Sequence, residues 1–123
     1  MNVASTAAFQ PGPLMAAYYA TKAYVLSLSE ALAEELAPSG VTVTALCPGP
    51  TRSGFQSRAD VDTSARLFAT GFMSSSAVAK RGVEGMLKGR RVVVPGVLNW
   101  LGVQSIRITP RRLVTKVVRW LHE

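Results

Sequence analysis

The chain has 123 residues, 48% of them hydrophobic and 17% charged, with one cysteine and a net charge of +7. That length holds at most one domain with a single hydrophobic core, and that composition excludes a disordered chain. A lone cysteine excludes an internal disulfide and fits a reducing compartment. Cys47 reads as a small buried residue at a strand end rather than as a nucleophile. No basic segment precedes an apolar core at the N-terminus, so no secretory signal is expected. No apolar run reaches the roughly 18 residues that a membrane span requires. The charge is uneven: residues 80–123 balance at +8, and residues 1–79 at −1.

In chain order, Asn2-Val3-Ala4-Ser5 reads as the end of a strand running into a loop. Pro11-Gly12-Pro13 punctuates that loop, since two prolines so close prevent a helix. From Leu14 to Ala37 the sequence is rich in Ala, Leu and Glu and predicts a long helix. Val25, Leu28, Leu32 and Leu36 recur at steps of three and four, which marks them as its core-facing stripe. Pro38-Ser39-Gly40 ends the helix. Val41 to Leu46 is β-branched and then apolar, a buried strand that stops at Cys47-Pro48-Gly49-Pro50.

Strand, helix, strand is a βαβ unit, which implies parallel pairing with a right-handed crossover. Open sheets of this kind bind ligands beyond the carboxyl ends of their strands. Ser5 and the loop from Pro48 to Ser53 both fall there, so they are expected to share a pocket. Residues 51–72, with Arg52, Arg58, Asp60, Asp62 and Arg66, predict a loop or short helix over that pocket. Ser74-Ser75-Ser76 offers an N-cap for a helix through Leu87, with Ala77, Val78, Val83 and Met86 as its apolar side. Gly89 ends it, and Arg90 to Pro95 predicts another short buried strand.

Residues 1–96 thus form a body and residues 97–123 a basic amphipathic tail. On the tail's last helix Arg111, Arg112, Lys116 and Arg119 gather on one side. Leu113, Val114, Val117, Val118, Trp120 and Leu121 gather on the other. Such a helix either covers the body or a partner with its apolar face, or lies on an anionic membrane surface. Nucleic acid is not expected, because the cations lack interleaved aromatics. His122 is expected to be an exposed terminal residue. No cluster with metal-ligand spacing occurs, and there is no Gly-x-Gly-x-x-Gly or phosphate-cradling loop.

One pair carries chemistry. Tyr18 and Lys22 stand four apart in the helix, which puts both side chains on one face, one turn from each other. A free phenol, with a pKa of about 10, is a poor base near neutrality, and a cation held close favours its phenolate. Tyr19 is followed four residues later by Ala23 and Tyr24 by Leu28, so only Tyr18 has the lysine. Ser5 supplies a hydroxyl for a substrate oxygen. The three together predict proton transfer at a carbonyl or an alcohol.

The segments Asn2-Val3-Ala4-Ser5, Tyr18-Tyr19-Ala20-Thr21-Lys22 and Pro48-Gly49-Pro50-Thr51-Arg52-Ser53, in that order and separation, resemble the C-terminal half of the short-chain dehydrogenase/reductase family. The resemblance implies an α/β fold: a partial Rossmann-like parallel sheet of about three strands with flanking helices and an amphipathic C-terminal helix. It also implies an oxidoreductase interconverting a small carbonyl and an alcohol by hydride transfer with NAD or NADP. Tyr18 would be the acid/base. Lys22 would favour the phenolate and hydrogen-bond the nicotinamide ribose, and Ser5 would polarise the carbonyl. Pro48, Gly49, Thr51 and Ser53 would meet the nicotinamide, Ser53 standing where the family usually has threonine. The long helix, 14–37, would pack against its copy in a homo-oligomer, and the location would be cytoplasmic, with the tail able to touch a membrane. The family's glycine-rich turn, its adenosine-ribose reader and its Asn-Asn-Ala-Gly segment have no counterpart, so the chain reads as a fragment or truncated product. The alternative expectation is a non-catalytic remnant acting as an interaction or membrane-surface module.

Overall fold

The computed structural model describes residues 1–54 and 72–123. Its strands are short: β1 (Asn2–Val3), β2 (Ala45–Leu46), β3 (Thr51–Arg52), β4 (Met73–Ser74) and β5 (Val92–Val93). Its helices are α1 (Ala16–Glu35), α2 (Ser75–Leu87), α3 (Val97–Ile108) and α4 (Arg111–His122). The expected α/β architecture is present. The main sheet is parallel in the order β1-β2-β5, with Asn2 opposite Ala45 and Ala45 opposite Val92.

The central strand is shorter than Val41–Leu46. Only Ala45 and Leu46 pair on both sides, while Val41 is 52% exposed. Thr44 marks the transition, its backbone carbonyl accepting from Asn2 N at 2.8 Å and its hydroxyl donating to the Arg90 carbonyl at 2.7 Å. Residues 41–43 lie beyond the ends of the neighbouring strands, so β-branching there has no ladder to join. A second correction concerns 51–52, expected in a loop: Thr51–Arg52 pairs in parallel with Met73–Ser74 as a separate two-stranded sheet. The expected segment over the pocket, including Arg58, Asp60, Asp62 and Arg66, lies outside the described residues.

Helix α1 runs where the sequence placed it, but its core stripe is rotated. Tyr19, Leu26, Ser29 and Ala33 are buried, whereas Leu28 is 40% exposed. The helix approaches the sheet through small side chains, and Ser29 is satisfied there. Its hydroxyl donates to the Val25 carbonyl at 2.6 Å and accepts from Asn2 Nδ2 at 3.0 Å. Helix α2 begins at the expected cap, with Ser74 Oγ accepting from Ala77 N at 3.2 Å. Its buried residues are Val78, Gly82 and Gly85, and Val83 is exposed instead. The glycines set the helix close to the sheet. A Cβ on Gly85 would lie 2.3 Å from Val93 Cγ2, and one on Gly82 2.8 Å from Leu46 Cδ2.

Two clusters fill the interior around α1. Ala4, Ala8, Leu26, Ala45 and Cys47 pack beneath the sheet's end. Ala7, Tyr19, Val114 and Val118 join the 3₁₀ turn at Thr6–Phe9, α1 and α4. The terminal helix therefore covers the body with Val114 and Val118. No helix of the described residues is long and apolar enough to cross a membrane.

Gly85→Ala tests the close approach of α2. Alanine gains about 1 kcal/mol of helix propensity, but overpacking against a stiff valine costs about 1–3 kcal/mol. The urea midpoint is expected to fall, and an unchanged or higher midpoint would contradict the packing described.

Candidate active site

The carboxyl ends of β1 and β2 lie side by side because those strands pair in parallel. Ser5 follows β1 and caps the 3₁₀ turn, its Oγ accepting from Ala7 N at 3.1 Å and lying 3.5 Å from the Pro48 carbonyl, to which it donates. Thr6 N donates to that same carbonyl at 2.9 Å. The two strand-end loops are thereby tied together, and the Pro48 segment is held beside Ser5.

From the first turns of α1, Tyr18 and Lys22 reach the same place. Lys22 Nζ lies 5.8 Å from the centroid of the Tyr18 ring and donates to the Val3 carbonyl at 3.1 Å. At that separation an ammonium is attracted to the aromatic face. Ser5, Tyr18, Lys22, Pro48, Gly49, Thr51 and Ser53 all wall one cleft of about 510 Å³. Every residue singled out for the site is thus brought together. Thr51 Oγ1 donates to the Gly49 carbonyl at 2.9 Å, which folds that loop on itself. A Cβ on Gly49 would meet the side-chain amide of Asn99, which backs the loop there.

Neighbouring tyrosines have different fates. Tyr19 is 5% exposed and its ring meets Tyr18 edge-on at 6.0 Å. Burial pushes its phenol up to about 12, against the opposing effect of a Gln10 hydrogen bond. Cys47, fully enclosed, is likewise pushed up to about 11 by burial, so it is an inert thiol as expected.

His122 is not the exposed terminal residue expected. It is half-buried, its Nε2 lies 2.7 Å from Tyr19 Oη, and it walls the cleft, as does Met1 at the other end of the chain. Burial lowers its pKa from the usual 6.5. A phenol held protonated and an imidazole held neutral share this hydrogen bond. The signal was present: Val114, Val118 and His122 stand at four-residue steps on the face that packs against the body. Asn99 was also missed; its Nδ2 donates to the Pro95 carbonyl at 2.7 Å, and its side chain backs Gly49.

A family model described as short chain dehydrogenase matches residues 1–64, just over half of the chain. The chain belongs to that family. Within the short chain dehydrogenases it is 44% identical over 64 residues to the L-2,3-butanediol dehydrogenase of Corynebacterium glutamicum, covering 52% of this chain and 25% of that protein. Its fold matches a short-chain dehydrogenase from Sphingobium yanoikuyae, solved in complex with NADPH, with a TM-score of 0.70 at 31% identity over 87% of this chain and 42% of that one. It also matches the bulky-bulky ketone specific alcohol dehydrogenase of Comamonas testosteroni, with a TM-score of 0.61 at 27% identity over 87% of this chain and 39% of that one. The chain therefore spans less than half the length of each of these short chain dehydrogenases.

The Tyr19–His122 bond gives a pH dependence. Because burial disfavours the imidazolium, this histidine's contribution to stability is present above its unfolded value of 6.5 and is lost as the pH falls below it. Wild type is expected to lose more of its urea midpoint between pH 7.5 and pH 5.5 than His122→Gln does. Parallel losses would contradict the buried, neutral imidazole.

Proposed function

We propose that the chain carries the catalytic half of an NAD(P)-dependent oxidoreductase that interconverts a carbonyl and an alcohol on a small molecule. The observation that carries this reading is the placement of Ser5, Tyr18 and Lys22 in one cleft, with the ammonium 5.8 Å from the phenol ring. Family membership and the NADPH bound by the Sphingobium relative support it.

The residues present fit the nicotinamide end of such a cofactor. Lys22 offers an ammonium to a ribose, and Pro48, Gly49, Thr51 and Ser53 offer backbone groups and hydroxyls in a loop that is backed by Asn99. When bound, the nicotinamide supplies or accepts hydride. Ser5 then hydrogen-bonds the substrate oxygen. Its present bond to the Pro48 carbonyl is long at 3.5 Å, so that proton is readily redirected. Tyr18 holds and moves the proton at the same oxygen. Lys22 holds positive charge beside the phenol, which stabilises the phenolate when the proton leaves. Tyr19, buried and held protonated, takes no part in that transfer.

Self-association is assigned to the outward face of α1, where Tyr24 and Leu28 are 67% and 40% exposed. The location proposed is the cytoplasm, where Cys47 stays a thiol.

A second, compatible reading concerns α4. Leu113, Val117 and Trp120 are 51%, 45% and 55% exposed, and Arg112, Lys116 and Arg119 run beside them at the same helical steps. An apolar stripe bordered by cations and tryptophan suits the surface of an anionic bilayer. Each cation near such a surface contributes about 1 kcal/mol. Co-sedimentation with phosphatidylserine vesicles is expected to fall at least tenfold in Lys116→Glu/Arg119→Glu; binding indifferent to anionic lipid would contradict the assignment.

For the catalytic reading, Tyr18→Phe in the protein joined to its cofactor-binding half is expected to lower kcat by about 10²–10⁴-fold with the urea midpoint little changed. Turnover near wild type would remove Tyr18 from the acid/base role.

A further inference from the structure

The catalytic cleft is not the whole cavity system on its side of the molecule. Along helices α3 and α4 lies a second groove of about 450 Å³. Leu98, Gly102, Ile106, Leu113, Val117 and Leu121 line it, a predominantly aliphatic set. Thr6, Gln10 and Pro50 stand in the walls of both this groove and the catalytic cleft. Those three belong to the same strand-end loops that position Ser5 and Pro48. The groove thus begins where the cleft ends, and its other wall is the pair of tail helices.

Resting on the oxidoreductase reading, we propose that this groove is the subsite for the apolar body of the substrate. Its continuity with the cleft points to an amphiphile: a carbonyl or alcohol at one end, held at Ser5 and Tyr18, and an extended hydrocarbon portion laid between α3 and α4. The chemistry of the walls supports an aliphatic portion over a charged or sugar-like one. Among the described residues no charged side chain lines the groove, and its polar members are hydroxyls and amides, among them Thr6, Gln10, Asn99 and Ser105. Burying each methylene of such a chain is worth about fourfold in affinity. A substrate of two or three carbons would leave this subsite unfilled and gain nothing from it.

Gly102 offers a direct test, because a Cβ added there meets nothing within 4 Å. Gly102→Phe therefore projects a ring into open groove without straining the helix. The dissociation constants of 2-butanone, 2-hexanone, 2-octanone and 2-decanone are measured by calorimetry for wild type, Gly102→Phe and Val117→Asp, the last altering an exposed groove residue. Wild-type affinity is expected to rise by about fourfold per methylene over the first additions, and both variants are expected to flatten that rise while binding 2-butanone as wild type does. Affinity independent of chain length in wild type would overturn the proposal, as would an undiminished rise in both variants, which would put the chain elsewhere. Failure of the oxidoreductase reading looks different: the chain-length dependence and its loss in the variants would persist, but the protein joined to its cofactor-binding half would not turn over 2-decanone with NADPH or NADH.

Discussion

The site depends on the parallel pairing of β1 with β2. With Asn2 opposite Ala45 and Val3 opposite Leu46, the two strands end level, and the chain leaves both at the same edge of the sheet. The Pro48 carbonyl then receives Thr6 N and the Ser5 hydroxyl, which joins the two exits into one rim. A register shift of one residue would turn each side chain of these strands to the other face. Ala4 would leave the core cluster, and Ser5 would leave the cleft. A two-residue overlap carries this burden because the strand ends are enclosed: Ala45 and Cys47 are wholly buried, and Leu46 is 4% exposed.

Around that rim the helices act as supports. Helix α1 delivers Tyr18 and Lys22 on one side while sinking Tyr19 into the interior on the adjacent side, so a single residue step separates a cleft-facing phenol from a structural one. Tyr19 is in turn gripped by α4 through Val114, Val118 and His122. The tail thus contributes to the body's core and to the cleft wall at once. Trp120, beside Arg112, Lys116 and Arg119, stands outside that core and outside the groove along α3.

Much of this arrangement was legible in the residues. The four-residue step from Tyr18 to Lys22, the two strand ends, the Ser74 cap and the helix stop at Gly89 are local signals, each fixed by neighbours within a turn or two. What was not legible depended on contacts between distant parts of the chain. The sequence pattern assigns the α1 stripe to Val25, Leu28, Leu32 and Leu36; Val25 does pack on the core, but Ser29 and Ala33 are the residues buried there, because small side chains allow close approach and Asn2 satisfies the serine. Residues 41–43 had the composition for a ladder, but among the described residues no partner strand extends that far. His122 finds Tyr19 across 103 positions, a pairing that no local pattern states, although its place on the α4 face pointed inward.

Met1 and His122 both stand in the wall of the cleft. The first strand and the last turn of α4 therefore share one wall, although they lie far apart in sequence. Whatever loosens that last turn from Tyr19 is felt in the shape of the cleft as well as in the core beneath it.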